Sequence, residues 1–84
     1  MAADRKSVNL EFFAQFREDR GVSRETVRTS SRTAAELYEE LDSAYRFRTE
    51  RAVARVAVND KIVPWDTSID EGDTVVFLTP FGGG

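Results

Sequence analysis

The sequence predicts an α+β fold, a mixed five-stranded sheet with one main helix across one face. Three observations carry this. One capped, amphipathic stretch over residues 33–45 stands among short runs that alternate as strands do. The last of those runs, Thr74-Val75-Val76-Phe77-Leu78, is apolar on both faces, which places it mid-sheet beside the first strand. The chain then closes on Thr79-Pro80-Phe81-Gly82-Gly83-Gly84, through which no strand continues. Pro80 lacks a donor, and glycine loses too much backbone entropy.

Residues 1–6 are polar and read as a loose N-terminus. Ser7–Ala14 reads as a strand, with Val8, Leu10 and Phe12 alternating against Asn9 and Glu11. Phe13 breaks the alternation by falling on the polar face. Either a neighbouring loop covers it or it is a piece of partner surface. Arg17-Glu18-Asp19-Arg20-Gly21 reads as a turn, with Gly21 free to take a positive φ. Ser23–Thr29 is a weaker second strand that completes a hairpin with the first.

Thr33 and Glu36 form the capping box that opens the helix. Ala34, Leu37, Tyr38, Leu41, Ala44 and Tyr45 share one face at helical spacing, with Glu36, Glu39, Glu40 and Asp42 outward. Residues 46–51 are Arg-rich (Arg46, Arg48, Arg51) and read as a solvated loop, a phosphate site being the alternative. Ala54–Asn59 is a third strand. Asn59-Asp60 is a tight turn, and Ile62-Val63 is a short return strand stopped by Pro64. Trp65 packs under the loop that follows. Asp70-Glu71-Gly72-Asp73 is a turn with a positive-φ glycine that delivers the final strand. The expected core is Val8, Leu10, Phe12, Leu37, Tyr38, Leu41, Val56, Val58, Val75 and Phe77, in a roll of the ubiquitin type.

Eighty-four residues suit one small domain, 1–84, with room for one core and no deep active site of its own. The absence of cysteine excludes disulfides, thiolate catalysis and sulfur carried on a side chain. The absence of histidine removes the commonest general base and metal ligand. A net charge of −3 argues against nucleic acid, and no apolar run is long enough to span a membrane. The expectation is a cytoplasmic protein with no bound cofactor and no metal. Charge is uneven along the chain. Residues 1–32 sum to +2 and residues 53–84 to −3, so the region leading into the tail is the acidic one. That suggests either a basic partner there or a solvated acidic surface.

With no reactive side chain of the usual kinds, the C-terminus is the best place for chemistry. Pro80, Phe81, Gly82, Gly83 and Gly84 form a mobile tail reaching roughly 16 Å when extended. Its glycines can thread a narrow channel and leave the Gly84 carboxylate sterically open. A carboxylate oxygen can attack the α-phosphate of ATP on a partner enzyme, giving an acyl-adenylate. The plainer reading of three glycines is a frayed end or an appended flexible linker.

The sequence resembles the ubiquitin-like sulfur carriers (MoaD and ThiS), most closely the small subunit of molybdopterin synthase (MoaD). Leu10-Glu11-Phe12-Phe13-Ala14-Gln15-Phe16-Arg17-Glu18 carries one part of the match. Val56-Ala57-Val58-Asn59 and the run from Asp70 to Gly84 carry the other. The resemblance implies that an E1-like activating enzyme uses ATP to adenylate Gly84. A sulfur donor then converts it to a thiocarboxylate, and the large subunit of molybdopterin synthase takes the tail. It also implies a partner-binding patch of Phe13, Ile62 and Leu78, with Phe81 beside it, on the sheet face away from the helix. The alternatives are a sulfur carrier for thiamin, cysteine or secondary-metabolite synthesis, or a ubiquitin-like protein modifier.

Overall fold

The computed structural model describes residues 5–79. Five strands and two helices follow in the order β1 (Lys6–Phe12), α1 (Ala14–Arg20), β2 (Arg24–Thr29), α2 (Ala34–Tyr45), β3 (Arg55–Val58), β4 (Lys61–Val63) and β5 (Thr74–Leu78). The sheet order is β2-β1-β5-β3-β4. β1 and β5 run parallel, in the register Asn9↔Thr74 to Phe12↔Phe77. The other neighbours are antiparallel. β5 is central, as its two-sided apolar sequence requires.

α2 starts where its capping box places it. The Thr33 hydroxyl accepts from the Glu36 N–H at 3.2 Å, and the Glu36 carboxylate accepts from the Arg32 N–H at 2.8 Å. The helix buries Ala34, Leu37, Tyr38 and Leu41. Arg46 ends it in the left-handed region (φ 56°), donating its N–H to the Asp42 carbonyl.

Two sequence expectations change. β1 stops at Phe12 rather than running to Ala14. The stretch read as a turn at 17–21 is the second half of α1, which Gly21 closes at φ 87° with its N–H on the Arg17 carbonyl. A helix of seven residues is too short to show a period, so only its cap was visible. Phe16, fully buried, is its reason for existing. Its ring meets Tyr38 edge-on at 6.1 Å and Phe47 edge-on at 5.1 Å.

Nine of the ten expected core residues are buried, and Val58 is partly buried against them. Phe16, Phe47, Ala34, Ala54 and Ile69 join them. Tyr38 lies at the centre, 5.1 Å from Phe77 and 5.3 Å from Trp65 by ring centroids, and its hydroxyl donates to the Thr49 carbonyl. Trp65 packs against the core as expected. Burial raises the Tyr38 phenol to about 12, with the carboxylates of Asp42, Glu39 and Asp19 adding to the effect.

The turns at the start of β5 are stitched to the β3–β4 turn. Asn59 and Asp60 both take positive φ, 52° and 72°, the backbone a two-residue hairpin needs. The Asn59 side chain donates to Asp73 at 2.9 Å and accepts the Thr74 N–H at 3.0 Å. Asp73 also accepts the Asp70 N–H at 2.7 Å. Gly72 (φ 85°) donates its N–H to the Ser7 carbonyl at 2.8 Å, tying this corner to β1.

Two outcomes follow for stability. Tyr38 favours the neutral phenol when folded, so its contribution is intact below about pH 10, the unfolded value, and declines as pH rises through about 12. Tyr38→Phe should cost about 1 kcal/mol at neutral pH and remove that part of the alkaline decline, read by urea titration at several pH values. Asn59→Ala should cost about 2–3 kcal/mol, losing two hydrogen bonds and the polar side chain that lets asparagine tolerate the left-handed region. Asn59→Gly, which removes only the bonds, should fall between alanine and wild type in the same titration.

Candidate functional site

The sheet face turned away from α2 is built from the residues that alternate with the core. From β1 come Asn9 and Glu11, from β5 Thr74, Val76 and Leu78, from β3 Arg55 and Ala57, and from β4 Ile62. The register aligns Arg24, Glu11, Val76, Ala57 and Ile62 in one row across all five strands. Its half from β5 to β4 is apolar. The next row, toward the end of β5, pairs Leu78 with Arg55.

Phe13 extends this face. Phe12 is paired with Phe77, so Phe13 and Leu78 are the next residues of adjacent parallel strands. Phe13 is extended (φ −128°, ψ 160°), and its carbonyl accepts the Phe16 and Arg17 N–H groups at 3.0 and 3.3 Å. The start of α1 therefore pins the backbone of Phe13 while its ring stays 51% exposed. No loop among the described residues covers it, so the reading of a covered ring does not hold there. Ala14 turns the chain away immediately, in the left-handed region at φ 50°. Such a conformation in a residue with a Cβ costs about 1–2 kcal/mol and persists only where the surroundings impose it.

Of the other residues expected in the patch, Ile62 is 66% exposed on β4, and Leu78 is half-buried at the end of β5. All three lie on the predicted face. Phe13 and Leu78 adjoin, whereas Ile62 lies across β3 in the neighbouring row. Pro80, Phe81, Gly82, Gly83 and Gly84 lie outside the described residues. β5 delivers the chain to Thr79 at the end of the sheet where Phe13 and Arg55 lie.

Sequence order misleads about charge. Asp60, Asp70, Glu71 and Asp73 lie in the turns before β5 and between β3 and β4, at the end of the sheet opposite Leu78. These four carboxylates therefore lie away from Leu78. What flanks Leu78 is Arg55. In the Arg-rich loop two of the three arginines are engaged by carboxylates. Arg48 pairs with Asp19 at 3.1 Å, Arg51 pairs with Glu39 at 3.1 Å and lies over the Trp65 ring, and Phe47 between them is buried. Among the described residues no cluster of carboxylates is placed to hold a metal ion. One shallow recess of about 270 Å³ lies on the same sheet face, lined by polar groups of Asn9, Glu11, Arg24 and Thr26. No helix of the described residues is long and apolar enough to cross a membrane.

The model of the ThiS family matches residues 10–84, including both turns and the final glycines. The chain belongs to the ThiS family. The resemblance read from the sequence holds, and so does the ubiquitin-like fold. The molybdopterin synthase sulfur carrier subunit of Haemophilus influenzae is 30% identical over 80 residues, spanning 92% of this chain and 99% of that protein. Molybdopterin converting factor subunit 1 of Pyrococcus furiosus is 29% identical, with a TM-score of 0.76 over 89% of this chain and 98% of that one. A Haloferax volcanii protein solved in solution is 26% identical, with a TM-score of 0.79 over 95% and 88% of the two chains.

Within this ThiS-family fold, sequence reasoning missed Val53 and Arg55, which precede β3 and open it. Val53 is 45% exposed, and Arg55 is exposed on the outer face. The alternation of Arg55 with inward Val56 was the available signal, but its neighbour across the sheet is known only from the register.

Phe13 and Phe16 offer a direct contrast. Phe16→Ala should cost about 3–5 kcal/mol by emptying the ring cluster, whereas Phe13→Ala should stay within about 0.5 kcal/mol of wild type, both read by urea unfolding.

Proposed function

We propose that this protein is a sulfur carrier whose C-terminal Gly84 is activated by an E1-like partner, and that it serves as the small subunit of a molybdopterin synthase. The observation that carries the reading is the ThiS-family match running through Gly83-Gly84, on a fold whose last strand ends at Leu78 beside the exposed Phe13. The Haemophilus influenzae relative, named as a molybdopterin synthase sulfur carrier subunit, supports the choice of pathway.

The chemistry follows from the terminal carboxylate. Its oxygen attacks the α-phosphorus of ATP, and pyrophosphate leaves. A persulfide sulfur attacks the resulting acyl-adenylate, and AMP leaves as a carbon–sulfur bond forms. A thiol then takes the donor's sulfur, cleaving the sulfur–sulfur bond and releasing the thiocarboxylate. That group stays ionised at neutral pH and is a strong nucleophile, as thiolates are. The activating enzyme and the large subunit supply the catalytic groups. This chain supplies the acyl group, the slim tail of Pro80, Phe81, Gly82 and Gly83, and a docking patch of Phe13, Ile62 and Leu78. It binds no cofactor of its own, since ATP is used on the partner.

Incubation with the activating enzyme, ATP and a sulfur donor should raise the mass by about 16 Da as oxygen is exchanged for sulfur. Deleting Gly84 should abolish the gain without changing the melting temperature. An unchanged mass in the wild type rules out the carrier reading. Conjugates to other proteins that survive thiol reductants would assign the chain to protein modification instead.

A further inference from the structure

The patch proposed for docking contains a cation. Arg55 opens β3 on the outer face, paired in register with Leu78. Its neighbour Val56 is fully buried on the opposite face, so alternation holds Arg55 outward. Around it are Leu78 on β5, Val53 two residues earlier at 45% exposed, and the apolar row of Val76, Ala57 and Ile62. Its one side-chain hydrogen bond among the described residues runs from Nη1 to the Ala54 carbonyl at 3.1 Å. The other outer-face arginine close to this end, Arg24, lies opposite Glu11. The ion pairs among the described residues engage Arg20, Arg48 and Arg51, not Arg55.

A surface that covers Phe13 and Leu78 also covers Arg55. Taking a guanidinium out of water without a counter-charge costs several kcal/mol, enough to cancel the gain from a patch of this size. Paired with a carboxylate in its fork, the same group adds specificity and geometry. Leu78 is also the last strand residue before the tail, so a charge pair at Arg55 sits where the tail's path is set.

We propose that Arg55 is a specificity-determining residue, and that the E1-like activating enzyme presents a carboxylate side chain against it where it grips this end of the sheet. This rests on the sulfur-carrier reading above and names the chemistry of that partner's surface. Arg55 positions and selects, and takes no part in bond making.

The test uses the full chain and the E1-like activating enzyme of the same organism, with thiocarboxylate formation measured as kcat/KM at low and at moderate salt. Three variants separate the possibilities. Arg55→Met keeps the apolar stem and removes the charge. Against a carboxylate it should lower kcat/KM about 10-fold or more through KM, with kcat unchanged and a weaker salt dependence. Arg55→Lys should recover part of the loss, and Arg55→Glu should deepen it. All three should unfold within a few degrees of wild type, because the side chain is exposed. If Arg55→Met is used as well as wild type or better, no carboxylate faces the residue and the inference is overturned. A wild-type chain that gains no sulfur at all overturns the carrier reading instead, so the two failures are distinguishable.

Discussion

The parallel pairing of β1 with β5 is the constraint on which the rest of the structure depends. It joins residues more than sixty positions apart in sequence and puts both strands at the middle of the sheet. Because the strands run the same way, they also finish at the same edge of the molecule. Phe13 and Leu78 thus become neighbours, although nothing local in the sequence relates them. Parallel neighbours need a long crossover, and here that crossover is the rest of the domain. α2 fills it by covering the inner face.

The locally encoded parts of the fold were legible in the sequence. The capping box fixed the start of α2, and Asn59-Asp60 and Gly72 marked turns whose backbones do enter the left-handed region. The two-sided apolar run at Thr74–Leu78 marked the central strand. What was not legible depends on contacts between segments distant in sequence. Phe16 lies on a helix too short for a period, and Phe47 lies among arginines that read as solvent-facing. Both are buried because their rings meet across the core. The broken alternation marked Phe13 as unusual, but its exposure follows from how α1 leaves the strand.

The charge pattern shows how far sequence order can differ from spatial order. The acidic third of the chain gathers in turns that are bound to one another, with Asp73 accepting hydrogen bonds from Asp70 and Asn59. Those carboxylates serve a corner of the fold at the far end of the sheet. Arg55 carries little weight in any count along the sequence, yet it sits beside the strand end that leads to the glycines. In a domain of this size, a charge's meaning comes from which residues share its register row.

The sheet's two open borders carry a last consequence. β4 is three residues long and begins with Lys61, and β2 projects Arg24 and Arg28 from its border. Short, cationic borders resist pairing with another sheet, because like charges would have to be brought together in a widening ladder. Both margins of the sheet therefore disfavour its extension into a neighbouring sheet.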